Sequence, residues 1–133
     1  MPNIVINNNA TAGVVVSNPV FEPEVLTFAG ADVWVAGTIL ARDSISLKLV
    51  LFVKGGVTNE NGIPKAVLTQ PAEAAGAGDQ NCMVLIGGQV RKSKLIIDAD
   101  GSGVNVDKAV TDALRDYGIE PLSTTQLSKL DNQ

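Results

Sequence analysis

Histidine is absent from this 133-residue chain, and cysteine occurs once, at Cys82. Without histidine there is no Ser-His or Cys-His pair for nucleophilic catalysis and no imidazole ligand for a metal. A single cysteine excludes an internal disulfide and a thiolate metal cluster. Cys82 opens the apolar run to Ile86, so a buried and inert thiol is expected there. Aromatic residues make up 4% of the chain, too few for base-stacking platforms. Basic residues are also short, 10 against 14 acidic, and the net charge of −4 leaves no phosphate-neutralising surface. Nucleic acid is therefore not expected as a partner. No charge precedes Glu22, so the basic start of a secretory signal is missing. Asn9-Ala10-Thr11 matches a glycosylation acceptor only by chance if no secretory signal accompanies it. Apolar runs such as Leu49–Val53 are far too short to span a bilayer, and no membrane partner is expected. These shortages together point away from an enzyme, with no catalytic residue, metal ligand or cofactor site expected.

What the chain does have is enough apolar residue, 45%, to build one packed domain. Residues 1–24 stand apart. They are uncharged up to Glu22, rich in Asn, Val and Pro, and carry β-branched runs interrupted by Pro19 and Pro23. Such a stretch favours extended backbone, forbids a continuous helix and shows no amphipathic period of its own. It reads as an extended N-terminal arm, a strand awaiting a sheet edge elsewhere. Ile4, Val5, Ile6, Val14, Val15, Val16, Val20 and Phe21 are its candidate contact positions.

Residues 25–97 read as β-rich, the first part of a single domain spanning 25–133. Strands are expected over Asp32–Leu40 with a bend at Gly37, over Ser46–Val53, over Lys65–Thr69, over Cys82–Ile86 and over Lys94–Ile97. Gly55-Gly56 and Asn61-Gly62 mark turns, and Ala72–Gly78 reads as a loop. Gln89-Val90 continues the Cys82 strand after a bulge at Gly87-Gly88. Trp34 and Phe52 are expected in the core. The C-terminal third is helical. Val106, Ala109, Val110, Ala113, Leu114 and Tyr117 form one apolar stripe over a helix at about 105–118, capped by Asn105 or Asp107 and closed by Gly118. A second short helix is expected at about 123–131, where Ser123 and Gln126 make a capping box.

The polar motifs carry little chemistry. Asp98-Ala99-Asp100-Gly101-Ser102-Gly103 begins like a calcium loop, but the twelfth position, which requires a bidentate Glu, is Ala109. It reads as a strand-to-helix loop. Gly101-Ser102-Gly103 lacks the third glycine of a dinucleotide fingerprint and follows an acidic pair. No spacing singles out two carboxylates for acid–base work. Arg91-Lys92-Ser93-Lys94, the one basic cluster, reads as a solvated turn.

Several stretches, taken in order, carry a resemblance. They are Phe28-Ala29-Gly30-Ala31 followed by Gly37-Thr38-Ile39-Leu40-Ala41-Arg42, then Lys65-Ala66-Val67-Leu68-Thr69, then Cys82 through Val90 to Lys94-Leu95, and the helix Ala113–Ile119. This order resembles the head decoration proteins of tailed bacteriophages, the family typified by the lambda decoration protein. The resemblance covers roughly residues 25–120. It implies a mainly β (α+β) fold, compact and of the β-clip type, with an extended N-terminal arm and one or two short C-terminal helices. It implies a homotrimer that cements the outer surface of an expanded capsid at local threefold positions, with the arm pairing onto strands of the major capsid protein. It implies a virion protein made in the host cytoplasm, with no reaction and no cofactor. The C-terminal helices depart from the short lambda protein. A tail or neck component using the same strand exchange, or a small carbohydrate-binding module, are the alternative readings. On the arm reading, deletion of residues 2–20 is expected to abolish capsid binding and leave the fold intact.

Overall fold

The structure is a computed structural model and describes residues 13–97 and 106–123. The fold is mainly β, as expected, with one short helix among the described residues. Eight strands follow in order: β1 (Val15–Phe28), β2 (Asp32–Trp34), β3 (Ile39–Arg42), β4 (Leu49–Leu51), β5 (Pro64–Val67), β6 (Ala72–Ala74), β7 (Gly78–Arg91) and β8 (Ile119–Leu122). A 3-10 turn at Lys92–Lys94 follows β7, and the helix α1 (Lys108–Asp116) precedes β8. The large sheet runs β1-β4-β3-β5-β7-β8, and β1 also pairs with β7. That second pairing closes five strands into a small barrel. A strand has only two edges, so with β1 along one edge of β7, β5 and β8 share the other, at Leu85 and at Gly88–Arg91. β2 and β6 form a separate two-stranded antiparallel sheet.

At β3, β5 and the centre of β7 the sheet is buried on both faces, which is why these strands read as apolar runs rather than as alternating patterns. Ile39 and Ala41 of β3 enter one apolar cluster, and Leu40 between them enters the other. Val67 divides from Ala66 and Leu68 in the same way, and Leu85 from Val84. The first cluster is covered by α1, through Val110 and Leu114, and by Leu95 and Ile97. The second is covered by β2 and β6 and by Phe28, whose ring stacks on Trp34 with centroids 3.9 Å apart. Trp34 and Phe52 are both buried, as expected. Trp34 can be buried because its Nε1–H donates to Asp32 Oδ2 at 3.2 Å.

Several expected elements differ. The segment Asp32–Leu40 is two strands in two different sheets, because Gly37 takes a φ of 96° and turns the chain between them. Ala72–Ala74, expected as loop, pairs with β2, its small side chains fitting under Trp34. Lys94–Ile97 is not a strand of the sheet. It is the end of the 3-10 turn followed by isolated bridging, parallel to Thr38 at Ile96. The strand β8 has no counterpart in the sequence reading, since Pro121 in a four-residue run argues against one. It is tolerated because, among the described residues, β8 has β7 as its one strand neighbour, so a missing N–H breaks no second ladder.

The largest correction concerns the arm. Val14, Val15, Val16, Val20 and Phe21 were expected in a strand with no partner inside the domain. Instead Val14 is a core residue, 1% exposed, and residues 15–28 pair with β7 along its whole length. The physical reason is that β5 and β8 share one edge of the fourteen-residue β7, which leaves its whole other edge for β1. Ile4, Val5 and Ile6 lie outside the described residues, as do the segment Asp98–Gly103 and, apart from Ser123, the stretch where the second helix is expected.

The first helix is shorter than expected, Lys108–Asp116, with Asp107 as its cap. The Asp107 carboxylate accepts from Val110 N at 3.1 Å, and Gly118 closes the helix at a φ of 87°. Asp107 also meets Lys54 at 2.6 Å, a pair exposed enough to add little. Asp107→Ala is expected to cost about 1 kcal/mol, through the lost cap. Thermal unfolding of the variant beside Lys54→Ala checks this, with the lysine variant nearly unchanged.

Candidate interaction surface

β1 crosses the outside of the barrel, and its geometry is unusual in three ways. Its pairing with β7 slips between Val15 and Ser17, between Ser17 and Val20 and between Val20 and Phe21. Asn18 sits in the left-handed region at a φ of 52°. Pro19 and Pro23 have no N–H to give to either neighbour. Gly88 accommodates the bulge, because a Cβ there would lie 2.5 Å from the Asn18 carbonyl oxygen. Bulges and prolines are the usual ways in which an exposed strand is kept from pairing indiscriminately.

The far edge of β1 meets only β4, at Leu26 opposite Leu49. Among the described residues, no strand pairs with that edge from Val15 to Val25. Register puts Phe21 opposite Leu85 and Pro23 opposite Met83, so these side chains share one face of the β1–β7 ribbon. Val20 lies at the bulge beside Gly87. Val20 is 52% exposed, Phe21 39% and Met83 55%, an apolar strip beside an open strand edge. Of the candidate contact positions, the structure brings Val20 and Phe21 into this strip and takes Val14 out of it. Met83 was missed, because an apolar residue in an apolar run gives no sign that it faces outward.

The opposite face of the ribbon is charged. Glu22 and Glu24 alternate onto it, and Arg42 reaches Glu24 with two bonds, 3.0 and 2.9 Å. This bidentate pair holds the Glu24 carboxyl below its ordinary value. Glu22 is raised, first by its hydrogen bond with Glu24 and then by the charge of that neighbour. The two shifts act in opposite directions on stability. A raised carboxyl binds its proton more readily in the fold, so stability rises as pH falls through the Glu22 value. A lowered carboxyl contributes stability above its unfolded value and loses it as pH falls through the folded one. Asp43, Asp79 and Asp107 are lowered as well, by hydrogen bonds from the Ser46 backbone, from Lys48 and from Lys54 respectively. Stability is therefore expected to rise slightly on mild acidification from neutrality and then to fall steeply below the ordinary carboxylate range. Urea midpoints across that range check it, and Glu22→Gln is expected to remove the initial rise alone.

Other candidates carry less. Cys82 is half-buried, and burial pushes its thiol up, away from the reactive thiolate. A cleft of about 400 Å³ lies between Thr27–Asp32 and the side chains of Asp43, Thr58 and Asn61. Its two carboxylates are occupied by their own chain: Asp32 accepts from Val33 N and Trp34 Nε1, and Asp43 from Ile45 N, Ser46 N and Asn59 Nδ2. The aromatic rings beside the cleft, Phe28 and Trp34, are buried against each other and offer no platform for a sugar face. Among the described residues no three acidic, cysteine or histidine side chains gather as a metal site. No helix of the described residues is long and apolar enough to cross a membrane. No protein-family model and no curated protein matches the chain.

Proposed function

We propose that this chain is a structural virion protein, a homotrimer that decorates and cements the outer surface of an expanded phage capsid through contacts to the major capsid protein. The observation that carries the reading is the open edge of β1 with Val20, Phe21 and Met83 exposed beside it. An unpaired edge supplies main-chain donors and acceptors, and a flanking apolar strip supplies burial, which is the chemistry of strand addition. β1 already uses one edge on β7, so it meets a capsid strand with its other edge while remaining part of its own barrel. The uncharged residues before it, including Ile4, Val5 and Ile6, extend the same contact.

The energetics fit a cement protein. Each main-chain bond adds about 0.5–1.5 kcal/mol net. One short strand binds weakly after its ordering cost. Three strands on one trimer share an effective concentration of millimolar order, which raises avidity by about 10²–10⁴. Val20→Asp and Met83→Asp place a charge in the strip without touching the core. Each is expected to weaken binding to undecorated shells by roughly tenfold or more, with thermal stability unchanged. Full binding by both variants would overturn the strip as the contact.

A further inference from the structure

We propose that the loop joining β3 to β4, residues 43–48, and the loop before β5, residues 54–62, together form the contact by which one copy of this chain meets a second. The inference deepens the self-association in the reading above and rests on it for nothing else, since the surface lies on different elements from the β1 strip. The two loops are tied to each other. Ser44 N donates to Asn59 O at 3.0 Å, and Asn59 Nδ2 to Asp43 Oδ2 at 3.4 Å. Each is also fixed internally. Asp43 Oδ1 accepts from Ile45 N and Ser46 N, Asp43 O accepts from Leu47 N, and Arg42 Nη1 donates to Leu47 O at 2.9 Å.

This bonding holds three residues other than glycine in the left-handed region: Leu47 at a φ of 63°, Asn59 at 48° and Glu60 at 65°. For a leucine that conformation costs about 1–2 kcal/mol. The arrangement does not bury the side chain in return. Ile45 is 77% exposed, Leu47 64% and Val57 92%. Three aliphatic side chains thus stand in water on loops that are already rigid, so little ordering is lost when they dock.

The charges beside them indicate the occupant. Leu47, Ile63 and Ser44 wall a groove of about 210 Å³, with Glu60, Lys65 and Arg42 also lining it. Neither Glu60 nor Lys65 has an ion-pair partner among the described residues, Lys65 lying instead over the Tyr117 ring at 3.6 Å. Arg42 is neutralised by Glu24, so the groove keeps one unpaired charge of each sign and is self-complementary. Copies related by a threefold axis set Glu60 of each opposite Lys65 of the next, whereas a partner of one sign is repelled at one wall. Three side chains and a small groove fall short of the ~800 Å² per partner that a stable complex buries. The contact is therefore weak and concentration-dependent, completed when copies are held side by side.

Sedimentation velocity of the full chain without shells, from micromolar to millimolar, tests this. The mean mass is expected to rise with concentration. Leu47→Asp and Val57→Asp are each expected to weaken association roughly ten- to hundredfold. Leu47→Gly relieves the backbone strain while removing the side chain, so its loss of association together with an unchanged or raised melting temperature cannot be misfolding. Glu60→Lys and Lys65→Glu are each expected to weaken association, and the double variant to restore it. A monomer at millimolar concentration, full association by Leu47→Gly, or a double charge swap as weak as the single ones would each overturn the proposal. Because no shell is present, failure of capsid binding leaves this result standing, and failure here leaves the β1 contact standing.

Discussion

Gly37→Ala is expected to cost about 2–5 kcal/mol, a large share of the roughly 5–15 kcal/mol that holds a domain together. Gly37 lies where three segments cross. Its N–H donates to Leu68 O at 2.7 Å, its carbonyl accepts from Ile96 N at 2.9 Å, and Thr38 beside it bridges Ile96. A Cβ on Gly37 would stand 1.8 Å from the Lys94 carbonyl oxygen, and the φ of 96° is strained for any side chain. The obstacle is the Lys94–Leu95 backbone, so no rotamer change relieves it. Gly30→Ala is the matched control, since a Cβ there meets nothing within 4 Å and the expected change is within about 0.5 kcal/mol. Urea denaturation of the two variants checks the contrast. Similar midpoints would show that the crossing at Gly37 is looser than described.

Deletion of residues 2–20 is expected to destabilise the domain by roughly 3–7 kcal/mol, while deletion of residues 2–12 leaves its melting temperature near that of the full chain. The longer deletion removes Val14 from the first apolar cluster and breaks the bond from Arg91 N to Val14 O, 2.9 Å. It also removes the pairs Val15–Val90, Ser17–Gln89 and Val20–Gly87. The shorter one stops before any described contact. This reverses the expectation drawn from composition alone, under which a chain lacking residues 2–20 kept its fold. A deletion of 2–20 that melted like the full chain would restore the free-arm reading. The practical consequence is that capsid binding must be dissected with the shorter deletion and with surface substitutions, since the longer one confounds binding with folding.

The β content, the helix and its Asp107 cap, the turn at Gly118 and the burial of Trp34 and Phe52 were legible in the sequence. Each rests on local chemistry: β-branched runs, helical spacing and a side chain that reaches its own backbone. The role of residues 14–28 was not legible, because pairing with β7 joins positions from 50 (Phe28 and Gly78) to 75 (Val15 and Val90) residues apart and nothing local announces it. Val14, Val15 and Val16 look alike in sequence, yet Val14 is buried and its two neighbours are half-buried, a difference set by where the barrel closes. β6 and β8 were hidden for a similar reason. Ala72–Ala74 has poor strand propensity and β8 contains a proline, and both are held by a neighbouring strand rather than by their own preference. Of the candidate surface, Val20 and Phe21 were found from the uncharged, β-prone start of the chain. Met83 and the strained Leu47 needed the register and the backbone angles.

Cosedimentation of the full chain with expanded, undecorated shells of its parent phage tests the central claim most directly. Saturable binding in multiples of three per local threefold position is the predicted result. A well-folded chain that leaves those shells bare at every concentration would contradict it.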